Sequence, residues 1–174
     1  RASKATTSVD WPSTNPLSSP STLTTFMRHS YPNVIVGGLA ASAPIGYYDK
    51  DGWEEHGVDE FTWSDIVTKV YDDADGECVD YIHAAMDAVD NADVEDLIPV
   101  FNVCEAATFS PREVNHDLFV YAIEGLPQQN YPYAIGNLPA WPVNYTCDIL
   151  VGSGGIDDVD TLIAAAAEVT NLVL

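Results

Sequence analysis

Apolar positions recur at steps of three and four residues through most of the chain beyond residue 60. Phe61, Ile66, Val67, Val70 and Tyr71 fall on one helical face, and Cys78, Ile82, Ala85, Met86 and Val89 on a second. "NADVEDLIPVFNVC", residues 91–104, predicts a short third helix, broken by Pro99 if it extends that far. A fourth helix is expected around Glu113 to Ile123. It opens with "SPRE", a Ser-x-x-Glu pattern that suits a reciprocal cap of the first turn. A last helix is predicted from about Asp158, with Val159, Leu162, Ile163, Ala166, Val169 and Val173 apolar. Asp157, Asp158 and Asp160 stand at its start, where carboxylates favour the helix dipole. Between these two, "LPQQNYPYAIGNLPAWPVNY", residues 126–145, holds four prolines and four aromatics. Prolines at that density bar a long helix, and the aromatics are expected to bury the loop against a neighbour. "GSGG", residues 152–155, reads as a loop.

The pattern before residue 60 is different. Residues 1–20 hold eight Ser or Thr and three Pro without periodicity, and read as a loose tail. Leu23, Phe26, Met27 and Tyr31 then share a helical face after "SSPS", and Pro32 ends that helix. "VIVGGLA", residues 34–40, is apolar without polar alternation. That predicts a strand covered on both faces, with Gly37 and Gly38 admitting a close neighbour. Such a strand expects sheet partners that the chain does not obviously supply. Residues 47–60 form a polar, aromatic loop. The expected organisation is a small α/β piece followed by a mainly helical region, as if an insertion or lid were attached to a sheet.

Charge narrows the function classes. The chain has 174 residues, with 27 acidic side chains against 6 basic ones and a net charge of -21. Seventeen of the acids lie between Asp49 and Asp96. Such a field repels phosphate backbones and anionic lipid, so neither nucleic acid nor a membrane surface is an expected partner. No run reaches the roughly 20 apolar residues of a membrane span.

Residue chemistry excludes more than it offers. Cys78, Cys104 and Cys147 are far apart, as are His29, His56, His83 and His116, so no metal-ligand spacing is present. No metal or cofactor is expected. Three cysteines permit one disulfide and one thiol, or three thiols. "DDADGE", residues 72–77, lacks the end carboxylates of a calcium loop, because Tyr71 and Ile82 would stand at its first and twelfth positions. "GSGG" lacks the Gly-Lys that makes a phosphate cradle. His29, His83 and His116 read as surface or capping histidines. Glu54, Glu55 and His56 could supply acid and base, but nothing fixes their geometry. A serine nucleophile needs a glycine-flanked elbow, and Ser18 and Ser19 in "PLSSPS" have none. "NYT" makes Asn144 a glycosylation acceptor pattern.

Two longer strings carry a resemblance. "YPNVIVGGLAASAPIG" and "NYPYAIGNLPAWPVNYTC" occur in the order and at the separation found in the prolyl carboxypeptidase and dipeptidyl peptidase II family of serine peptidases, which the chain resembles from about Ser21 onward. The resemblance implies an α/β hydrolase with a helical insertion over its active site, of which this chain would be an internal piece. Residues 1–20 would then be a disordered or misjoined segment, residues 21–46 a piece of the hydrolase core and residues 47–174 an incomplete helical cap. It implies a serine-type exopeptidase that hydrolyses peptides next to proline through an acyl-enzyme. The substrates would be peptides with proline near a terminus, and the intact parent could form a homodimer.

The family's nucleophile position falls on Ser18, where its glycines are missing, and nothing matches its Asp and His. The fragment alone is therefore expected to be inactive. The resemblance further implies a Cys78–Cys147 bridge, a Cys104 partner beyond Leu174, and glycosylation of Asn144 in a secreted or lysosome- or vacuole-like setting. The alternative reading is a non-catalytic secreted interaction module derived from the cap. An unrelated acidic helical protein would instead leave Cys78 and Cys147 as thiols.

Overall fold

A computed structural model describes residues 20–40, 61–103 and 110–174, together with six single positions between 43 and 59. The chain divides into two compact units, Arg1–Asp59 and Glu60–Leu174. In the first, α1 spans Pro20–Ser30. Its apolar residues Leu23, Phe26 and Met27 are exposed, and Tyr31 just beyond it is exposed too.

The buried strand expected at residues 34–40 is not formed. Val34 is 79% exposed, Val36 91% and Leu39 92%. The chain turns at residues 32–34 and runs on as irregular backbone, with the amides of Val34 and Ile35 donating to the Tyr31 carbonyl. The physical reason is plain. A strand is held by a neighbour's backbone, and among the described residues there is no strand or sheet at all, only an isolated Ile135–Leu138 bridge. The α/β hydrolase expectation is thereby corrected: the described chain is helical. One detail of the reading does match, since a side chain at Gly38 would collide with the Thr24 methyl on α1.

The second unit holds the hydrophobic core. Helices α2 (Thr62–Ala74) and α3 (Cys78–Asn91) bury Val67 and Tyr71, and Cys78, Ile82, Ala85, Ala88 and Val89, respectively. The acidic segment between them is a helix-to-helix turn. The Asp75 carboxylate accepts from the Glu77 amide at 2.9 Å, and on α2 Lys69 pairs with Asp73 one turn further on. Helix α4 (Val94–Val100) runs through Pro99, which cannot donate to the Glu95 carbonyl, and the helix ends one residue later. Residues 111–125 are helical throughout: α5 (Pro111–Val114), a π-helical stretch (Asn115–Val120) and α6 (Tyr121–Gly125). The reciprocal cap forms there. Glu113 accepts from the Ser110 amide, which holds its carboxyl below the usual carboxylate range, while its own amide donates to Ser110 Oγ.

Helix α7 (Pro142–Gly152) had no counterpart in the periodicity reading, which gave its start to the proline-rich loop. Pro142 does not bar it, because at the first helical position no N–H is needed. Helix α8 (Val159–Thr170) is capped by Asp158, which accepts from the Thr161 amide. Its Ala165, Ala166 and Ala167 are buried, and α8 packs most extensively on α3.

Tyr71 ties two of these elements. It is buried, its hydroxyl donates to the Ile123 carbonyl at 3.0 Å, and burial lifts its phenol well above the ordinary range. Tyr71→Phe leaves that carbonyl without its donor, so a loss of about 1–2 kcal/mol is expected in urea unfolding. An unchanged midpoint would show that the bond adds nothing net.

Candidate functional site

Residues 130–141 form a loop closed at its base. The Trp141 amide donates to the Tyr131 carbonyl at 2.7 Å, and the Val143 amide donates to Asn130 Oδ1 at 3.2 Å. At the tip, Ile135 and Leu138 bridge each other across Gly136, whose φ of 58° suits a residue without a side chain. Leu138 is buried and pins the loop to the core. The remaining apolar groups face outward. Tyr131, Tyr133, Ile135, Trp141 and Tyr145 are all exposed, and the rings of Tyr131 and Tyr133 stack with centroids 5.6 Å apart.

This reverses the expectation that the aromatics bury the loop. The prolines and the two closing bonds fix the backbone, so the rings need not turn inward. One signal in the sequence marks the surface: residues 125–147 contain no charged side chain. Residues 60–174 otherwise carry 21 carboxylates against two basic groups, Lys69 and Arg112. Asp148 lies exposed on α7 one turn beyond Tyr145 and begins the acidic border. The site is an uncharged aromatic surface with an acidic surround, a composition suited to recognition rather than to bond making.

The residues considered for chemistry are not gathered there. Ser18, Ser19, Glu54, His56 and Cys104 lie outside the described residues. Glu55 is exposed, as are His29 on α1, His83 on α3 and His116 in the π-helical stretch. His116, with Ser110, Arg112, Glu113 and Asp117, lines an open depression of about 450 Å³. Among the described residues no three His, Cys, Asp or Glu side chains are grouped to hold a metal ion. No helix there is long and apolar enough to cross a membrane.

The exopeptidase expectation, and with it the reading of this chain as a hydrolase or protease, is corrected on the same ground. Among the described residues there is no sheet on which a nucleophile elbow could stand and no assembled triad.

Cys78 and Cys147 are joined, with Cα atoms 5.2 Å apart and both residues buried. The bond fastens the first residue of α3 to the middle of α7, directly behind the aromatic surface's Tyr145. Asn144 is exposed on the first turn of α7.

Known proteins match over most of this length. The lysosomal Pro-X carboxypeptidase of Homo sapiens is 29% identical over 136 residues, which is 74% of this chain and 26% of that protein. The Mus musculus protein of the same name is 29% identical over 145 residues, 79% of this chain and 28% of its own. The chain thus spans about a quarter of the length of these curated relatives. The sequence pattern of the serine carboxypeptidase S28 family matches residues 15–170. A match of that extent decides the matter: the chain belongs to the serine carboxypeptidase S28 family.

Proposed function

We propose that this chain is a non-catalytic helical module that binds a polypeptide through the aromatic loop at residues 130–141. The observation that carries the reading is the uncharged, exposed aromatic surface set in a unit of 21 carboxylates and two basic groups. Tyr and Trp bury large areas at small entropic cost, and they concentrate at the centres of interfaces. The acidic surround selects a partner whose own rim is basic, and it steers that partner's approach. The partner is therefore a cationic segment with apolar side chains. The family relation and the names of the lysosomal relatives support placement in a secreted or lysosome- or vacuole-like compartment.

The test uses the full chain and two synthetic peptides, one of alternating Leu and Lys, one of alternating Leu and Glu. The Leu–Lys peptide is expected to bind in the micromolar range and the Leu–Glu peptide not at all. Tyr133→Ser with Trp141→Ser is expected to weaken the Leu–Lys peptide at least tenfold. Equal binding to wild type and double variant would leave only diffuse electrostatics and sink the reading. So would self-association removed by the same substitutions, since a second copy would then be the occupant. Labelling of any serine by a fluorophosphonate, with turnover of a proline-containing peptide, would overturn the non-catalytic half.

A further inference from the structure

We propose that attachment of an N-linked glycan to Asn144 and closure of the Cys78–Cys147 disulfide compete in time, so that the glycan can be added only before the bond forms. The inference rests on the reading above only in needing passage through an oxidising secretory compartment.

The four residues concerned are consecutive: Asn144, Tyr145, Thr146 and Cys147. Glycan transfer requires the asparagine amide and the hydroxyl two residues on to be presented together to the transferase. Helix α7 separates them. Two residues along a helix lie on nearly opposite faces, so Asn144 points outward while Thr146 is fully buried. Its Oγ1 has no hydrogen-bond partner within the protein. The folded chain therefore hides half of the acceptor. The very next residue, Cys147, is tied to Cys78 at the start of α3, which holds α7 against the core.

The reverse order meets no obstacle. A sugar on Asn144 projects from an exposed position beside Tyr145, so a glycosylated chain can still close the bond. The transfer itself is balanced. Asn144 Nδ2 displaces the diphosphate of a lipid-linked oligosaccharide from the anomeric carbon, and the amide gives up one proton. Closure of the bridge sends two electrons and two protons to a disulfide oxidant of the compartment.

The experiment places the full chain behind a secretion signal in insect cells and reads occupancy as the band shift removed by peptide N-glycosidase F. Asn144→Gln sets the unmodified position. Wild type is expected to be partly occupied. Cys78→Ser, and wild type synthesised during a dithiothreitol pulse, should each show occupancy raised at least twofold or driven to completion. Occupancy is readable whether or not a variant folds, and the reductant arm needs no substitution. Full occupancy of the wild type, or equal occupancy in all arms, would overturn the competition. No shift in any arm would show that Asn144 is not an acceptor. Neither result touches the peptide-binding test.

Discussion

Reduction of the Cys78–Cys147 bond is expected to lower the unfolding free energy by about 2–4 kcal/mol. The bonded residues are 69 apart in sequence, and a loop of that size costs the unfolded chain about 4 kcal/mol of entropy when closed. Reduction returns that entropy to the unfolded state while the native packing around the sulfurs changes little, since both residues are buried. The measurement is urea unfolding of the oxidised and reduced chains at one pH. Thiol alkylation of the unfolded, unreduced chain checks the chemistry, because modification of all three cysteines would show that the bond is absent. Equal stability of the two forms would show that the bond merely decorates contacts that α3 and α7 already make. Cys78→Ala with Cys147→Ala should reproduce the loss without reductant. The bond also backs the aromatic surface, since Cys147 lies two residues beyond Tyr145 on α7, on the opposite, buried face. Binding of the Leu–Lys peptide should survive reduction as long as the unit stays folded.

How much of this was legible in the sequence differs between the two units. In residues 60–174 the period of apolar positions locates α2, α3, α4 and α8, and Ser110 with Glu113 locates the start of the 111–125 helix. There, burial and periodicity report the same fact. Helix α7 escapes because Pro142 and the aromatics dominate its start, although Val143, Cys147 and Leu150 keep helical spacing. The π-helical stretch escapes because one extra residue in a turn leaves no mark in composition.

Residues 34–40 mislead for a deeper reason. An apolar β-branched run states that a segment suits a sheet, but not that a sheet is present to receive it. The same limit applies to the aromatics at 131–145. Their identity is plain in the sequence, but their outward orientation depends on Leu138 and the two closing hydrogen bonds. The disulfide was implied by family resemblance, since the spacing of three cysteines leaves the pairing open.

The second large effect is expected at the centre of the 111–125 helix. Phe119 is fully buried, and the π-helical stretch that carries it packs on α3 and α8. Asn115, four residues before Phe119, is buried as well. There its Nδ2 donates to Asp90 Oδ1 at 2.9 Å and to the Met86 carbonyl at 3.2 Å, both on α3. The stretch is thus held by an apolar anchor and a polar one. Phe119→Ala removes the larger, leaves a cavity in close-packed surroundings, and is expected to cost about 3–5 kcal/mol. Tyr121→Ala, two residues on and exposed, is the control and should stay within about 0.5 kcal/mol of wild type. Equal effects of the two would mean that the inward face of this helix has been misplaced. A unit of this length is expected to have roughly 6–15 kcal/mol of stability. Loss of Phe119 together with the disulfide would remove about 5–9 kcal/mol of that. The doubly altered chain should therefore unfold at a much lower urea concentration than either single alteration, and should lose peptide binding at urea concentrations that reduction alone tolerates.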